Sequence, residues 1–195
     1  MSEYVMGSDE NAMYAHLLEV ARLVAEVPRG PIYRMAKLLH ARWQLGAAFL
    51  TCGNGGSAST AAHFACDLAK ATRCEGRAPV RALCLNDSLA SLTAWANDTT
   101  YQQALAEQLR SLGRPGDVLI CISGSGKSPN VLQAAAYARR QRILVFALTG
   151  TGGGQLAPLA DVAAIVPSDD MAAIEDVHLA ICHALTKGLA GDIRL

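Results

Sequence analysis

Five short apolar runs, at 47–52, 80–85, 117–122, 143–148 and 162–166, alternate with stretches of helical spacing near 58–72, 88–96, 100–112, 128–140 and 154–159. A last helix is expected over about 171–190. Strands fed by crossover helices pair in parallel, and a parallel sheet needs helices on both faces to bury it. The pattern therefore predicts an α/β fold, a doubly wound and mainly five-stranded parallel sheet. Ahead of it, Met13, Leu17, Val20, Leu23 and Val24 keep helical spacing, Val27-Pro28-Arg29-Gly30 breaks it, and Ile32, Met35, Leu38 and Leu39 resume it from Pro31. An α-hairpin over 12–45 thus precedes the sheet.

The chain has 195 residues, a length that suits one domain over 1–195. Lys+Arg and Asp+Glu both number 17, so no net field gathers nucleic acid or anionic lipid. Six cysteines, at 52, 66, 74, 84, 121 and 182, include no C-x-x-C pair, and several lie in apolar runs where cysteine acts as a small hydrophobe. The polar start, Met1 to Asn11, has neither the basic opening nor the apolar stretch of a secretory signal, and no apolar run is long enough for a membrane span. A cytoplasmic protein is expected, with small molecules or copies of itself as partners and no nucleic acid or membrane.

Ligands of such sheets bind beyond the carboxyl ends of the strands. Two glycine- and serine-rich loops fall there, Gly53-Asn54-Gly55-Gly56-Ser57-Ala58-Ser59 and Ser123-Gly124-Ser125-Gly126-Lys127-Ser128. Each opens a helix, where free backbone N–H groups and the helix dipole favour an anion. Together they point to a phosphorylated small molecule. Each imitates a nucleotide motif and fails at a definable place. The first satisfies G-x-G-x-x-A, yet Glu75 is the one acid over 70–76 and Asp87 comes much later. The second ends in Gly126-Lys127-Ser128, but a P-loop needs glycine where Cys121 stands. Lys127 reads equally as a solvated loop residue and as a phosphate contact.

His63 and Asp67 are four apart on the helix behind the first loop and share a face, as an ordinary surface ion pair would. Glu175 and His183 are eight apart, about 80° around a helix and two turns along it. Two imidazoles and two carboxylates suit a divalent metal, but the sequence alone does not bring the two helices together. His178 reads as a structural histidine.

Seven segments, in this order, carry a family likeness: Gly53-Asn54-Gly55-Gly56-Ser57-Ala58, His63-Phe64-Ala65, Ala96-Asn97-Asp98, Gly116-Asp117-Val118-Leu119, Ser123 to Ser128, Leu148-Thr149-Gly150 and Glu175-Asp176-Val177-His178. From about residue 12 to 190 the chain resembles the sugar isomerase (SIS) domain family. Its pattern is that of members converting sedoheptulose 7-phosphate to D-glycero-D-manno-heptose 7-phosphate. The resemblance implies a flavodoxin-like sheet, a homotetramer with active sites between subunits, and a divalent metal, zinc. By position it gives Ser123, Gly124, Ser125 and Ser128 to the phosphate, and Asn54, Gly55, Gly56, Ser57, Asn97, Asp98, Asp67 and Glu175 to the sugar. The metal ligands would be His63, Asp67, Glu175 and His183, and the acid/base pair Asp67 and His183.

The chemistry asks for these types independently. An aldose–ketose isomerisation moves a proton through an enediol, which calls for a base near neutral pKa and for stabilisation of an oxyanion. A remote phosphate anchor supplies orientation. Against the family pattern, Asp67 stands in place of glutamate, which draws the carboxylate back by about 1.5 Å. Glu175 replaces glutamine and adds negative charge, and Gly124 stands where threonine is common. Two alternatives follow: a different sugar phosphate, read by Asp67 and Glu175, and a non-catalytic sugar-phosphate sensor or protein-binding module. Relatives of the second kind tend to lose the catalytic histidine, which this chain retains.

Overall fold

The structure, a computed structural model, describes residues 9–191 apart from 74, 75 and 77. Cys74, Glu75 and the first eight residues, each weighed above, lie outside the described residues.

Helices α1 (Asp9–Glu26) and α2 (Arg29–Gln44) form the N-terminal pair. Then follow β1 (Ala48–Cys52), α3 (Gly56–Ala71), β2 (Arg81–Cys84), α4 (Leu89–Asp98), α5 (Tyr101–Leu112), β3 (Val118–Ser123), α6 (Pro129–Arg140), β4 (Leu144–Thr149), β5 (Val162–Ile165) and α7 (Met171–Ala190). The five strands are all parallel, in the order β2-β1-β3-β4-β5. This order reverses between β1 and β3, the place where open α/β sheets bind ligands.

Period-two alternation sorts the strand side chains between two cores. Phe49, Val118, Ile120, Ile122, Phe146 and Leu148 meet α2, α3 and α7 through Met35, Leu39, Phe64, Leu68, Val177, Ile181 and Leu185. Leu50, Cys52, Leu119, Cys121, Val145 and Ala147 meet α5 and α6 through Leu105, Leu109, Val131, Ala134 and Ala138. Both faces are covered, as continuous apolar strands require.

The helix expected near 154–159 is a single 3₁₀ turn, Ala157–Leu159. Gly152, Gly153 and Gly154 all take positive φ, which unwinds the chain there, and the Gln155 and Leu156 N–H groups bond to the Gly126 carbonyl rather than within a helix. Helix α2 starts two residues before Pro31, with Pro28 as its N-cap. Helix α4 buries none of its residues, and α1 exposes Met13, Tyr14, Leu17 and Leu18. Among the described residues no helix is long and apolar enough to cross a membrane.

Candidate active site

The first glycine loop leaves β1 at the sheet's switch point. Thr51 Oγ1 donates to the Ala61 carbonyl at 2.8 Å, fastening β1 to the helix the loop opens. Asn86, just past β2, clasps Gly53 from both sides: its Oδ1 accepts from the Gly53 N–H at 3.1 Å and its Nδ2 donates to the Gly53 carbonyl at 3.0 Å. A side chain on Gly53 would strike the Ser57 carbonyl, so the turn closes tightly only with glycine.

The second loop leaves β3 beside it. Ser123 and Ser128 face each other, Oγ to Oγ 3.3 Å, and the Lys127 N–H donates to Ser125 Oγ at 3.2 Å. Gly126 takes φ +61 and lies against the Gly153 carbonyl, leaving no room for a Cβ. Gly124 packs against Met171 and Ile174 of α7, and the threonine common in the family would not fit beside Met171 without a shift. Lys127 is exposed. Cys121, the residue that breaks the P-loop pattern, is buried within β3.

One reciprocal amide pair joins the loops. Asn54 Nδ2 donates to Asn130 Oδ1, Asn130 Nδ2 donates to Asn54 Oδ1, both at 2.8 Å, and the Tyr101 hydroxyl donates to the same Asn54 oxygen at 2.8 Å. Asn130 Oδ1 also accepts from the Val131 N–H at 3.0 Å, which fixes its orientation. Asn86, Tyr101 and Asn130 were not among the residues expected from the sequence. A single asparagine has no period, and only the position of Asn130, directly behind the Ser-Pro that opens α6, marked it. Asn97 and Asp98 pair with each other at the exposed end of α4, Nδ2 to Oδ1 3.0 Å, three residues before the Tyr101 that reaches Asn54.

Helices α3 and α7 bring His63, Asp67 and His183 together. Asp67 Oδ2 lies 3.2 Å from His63 Nε2 and 3.6 Å from His183 Nε2, and the two imidazole nitrogens are 3.3 Å apart. Ligand atoms 2.0–2.1 Å from a tetrahedral ion stand about 3.4 Å from one another, so this triangle has the size that a divalent cation needs. The side chains are 30% to 48% exposed, open to an ion and a substrate. Glu175 stands outside this group of three. Its carboxylate lies against Gly56, in the first turn of α3, where any Cβ would overlap it. Eight residues of helix separate Glu175 from His183 by about 12 Å along the axis. That rise carries the carboxylate to the glycine loop.

Below the site, His178 is fully buried and neither ring nitrogen has a well-formed hydrogen bond. Burial pushes its pKa down to about 4, against a smaller opposing pull from the Thr149 backbone. Cys182, beside His183 in sequence, has its thiol pushed up by burial, with Asp67 adding to the shift, so it stays protonated and inert.

The SIS domain family model matches residues 14–150. A phosphoheptose isomerase of Aromatoleum aromaticum is 46% identical over 143 residues, 72% of this chain and 72% of its own. Another, from Azoarcus sp., is 41% identical over 162 residues, 82% of each chain. Among solved structures, a phosphoheptose isomerase from Neisseria gonorrhoeae superposes with a TM-score of 0.86 at 33% identity, over 93% of this chain and 98% of that one. A family match over more than half of the chain, with relatives this similar across most of their own length, establishes that the chain belongs to the SIS domain family.

Proposed function

We propose that the chain is a phosphoheptose isomerase, interconverting sedoheptulose 7-phosphate and D-glycero-D-manno-heptose 7-phosphate. The observation that carries this reading is the triangle of His63, Asp67 and His183, set by α3, which the first glycine loop opens, and by α7, whose first turn packs on the second. The similar phosphoheptose isomerases support it over most of the chain.

The phosphate is held by the second loop, through Ser123, Ser125 and Ser128 and the N–H groups at the start of α6, with Gly124 giving close approach. Asn54, Gly55, Gly56 and Ser57 line the sugar, with Asn97 and Asp98 on its far side. Glu175, at the glycine loop, reads a sugar hydroxyl. His183 takes the proton from the carbon next to the carbonyl and returns it to the neighbouring carbon. Asp67, within reach of both histidines, moves protons between the oxygens. His63, Asp67 and, when it is not acting as the base, His183 would hold a divalent cation, zinc in our assignment, which would supply positive charge for the developing oxyanion. His183 Nε2 serves one role at a time, ligand or base. Glu175 approaches the triangle only from the side of the loop.

Apolar side chains exposed on α1, and the unburied α4, favour a homotetramer with active sites between subunits. We place this single-domain enzyme in the cytoplasm. Incubation with sedoheptulose 7-phosphate, with product analysis, tests the reading. An aldose 7-phosphate is expected, and no aldose product with or without added zinc overturns it. If another ketose phosphate turns over instead, Asp67 and Glu175 have shifted the specificity within the same reaction.

A further inference from the structure

A second cluster of charge lies at the opposite edge of the sheet. Arg42 is in the last turn of α2, Arg81 begins β2, and Arg114 sits in the turn before β3, so all three gather where the strands start. They line one cleft of about 360 Å³. A strand of five residues spans about 16 Å, which separates this edge from the glycine loops.

The three guanidinium groups are poorly compensated. Among the described residues none of them has a carboxylate at ion-pair distance. Arg81 Nη1 donates to the Gly46 carbonyl at 3.2 Å, and Arg42 Nη1 lies over Gly116, 3.7 Å from where a Cβ would stand. Gly116 takes φ +95, so glycine both makes this turn and leaves the space above it open. The acid lining the cleft, Asp117, is buried, and its oxygens accept from the Ala48 N–H at 2.7 Å and the Arg114 N–H at 2.8 Å. Its carboxylate therefore serves the backbone of β1 and the turn. The negative end of α2 accounts for one cation, Arg42 in its last turn. Arg81 is on a strand with no helix end beside it, and Arg114, directly after the Gly113 C-cap of α5, is the second cation at a helix's negative end. Like charges around one cleft repel unless an anion joins them, and guanidinium forks suit phosphate oxygens.

We propose that this cleft is a second anion site, which binds the phosphate group of a small molecule, apart from the glycine loops. Three guanidiniums less the Asp117 carboxylate leave two positive charges, which one phosphate dianion matches.

Titration calorimetry of the full chain with inorganic phosphate at low ionic strength tests this. A binding event that weakens at least tenfold in the R81Q/R114Q variant is expected, while turnover and melting temperature stay those of the parent, which shows that the variant folds. A single Arg114→Gln exchange gives a smaller loss of the same event and serves if the double variant is unstable. Binding at the glycine loops is untouched by either exchange, so an event that persists in both variants belongs there. No binding event in the parent, or an isotherm unchanged in both variants, overturns the proposal.

Discussion

Two histidines on α7, five residues apart, have opposite environments, and their variants separate chemistry from stability. His183 is 45% exposed and faces Asp67 and His63. Its replacement by alanine is expected to lower turnover by about 10²–10⁴-fold, the usual worth of a general base, while a sugar-phosphate ligand still binds in calorimetry. Unchanged turnover would remove His183 from the mechanism. His178 is the buried one, with its pKa lowered to about 4 from an ordinary value of 6.5. Between these values the unfolded chain takes up a proton that the folded chain refuses, so stability is whole above pH 6.5 and falls as pH drops toward 4. The loss is up to roughly 3 kcal/mol, from the size of the shift. Denaturant unfolding across pH 4–7 checks it: a His178→Leu variant is expected to show a flatter pH profile than the parent, and parallel profiles would refute the assignment.

At the scale of elements, the amide pair Asn54–Asn130 joins the loop after β1 to the first turn of α6. Truncating Asn130 to alanine takes the partner from the buried Val131 N–H, leaves the half-buried Asn54 with the Tyr101 hydroxyl alone, and costs about 1–3 kcal/mol, the penalty for an unmet buried polar group. KM for the sugar phosphate is expected to rise about tenfold with kcat much less affected, since in the proposed site Asn54 orients the sugar without moving protons. Steady-state kinetics separates the two. The elements themselves were legible because apolar runs and glycine loops repeat, and because His63 and Asp67 share a helical face. Their partners were not. Asn86, Tyr101 and Asn130 are single polar residues at the edges of elements, and nothing local couples residue 54 to residue 130. The meeting of α3 with α7 is likewise a product of packing on one sheet face, through Phe64, Val177 and Ile181, and the sequence offered it through family likeness alone. The helix expected near 154 failed because three consecutive glycines favour a loop that serves Gly126.

For the whole molecule, the surface is the main guide to assembly. Leu17 and Leu18 on α1 are 62% and 65% exposed, near Met13 and Tyr14, on a chain whose formal charge is zero. In the proposed tetramer a neighbouring subunit covers this patch. Replacing Leu17 and Leu18 by lysine is expected to shift the protein toward smaller species in sedimentation velocity and, if active sites are shared, to reduce turnover in step. A parent that sediments as a monomer refutes the assembly. Hydrophobic residues make up 51% of the sequence, which does not say where they lie exposed, since a helical stripe looks the same whether its cover is the same chain or another.

Helix α7 follows every other described element, and it brings more than His183. Its Ile174, Val177, Ile181, Leu185 and Leu189 complete the core on one face of the sheet. A chain that stalls or is cut before this helix therefore loses one wall of its interior and its proposed proton-transfer histidine together. Foldedness and the proposed activity are linked in a single segment, so a truncated copy lacks the proposed base and is conspicuous to proteolysis, and a defective product does not persist as a well-folded molecule with half a site.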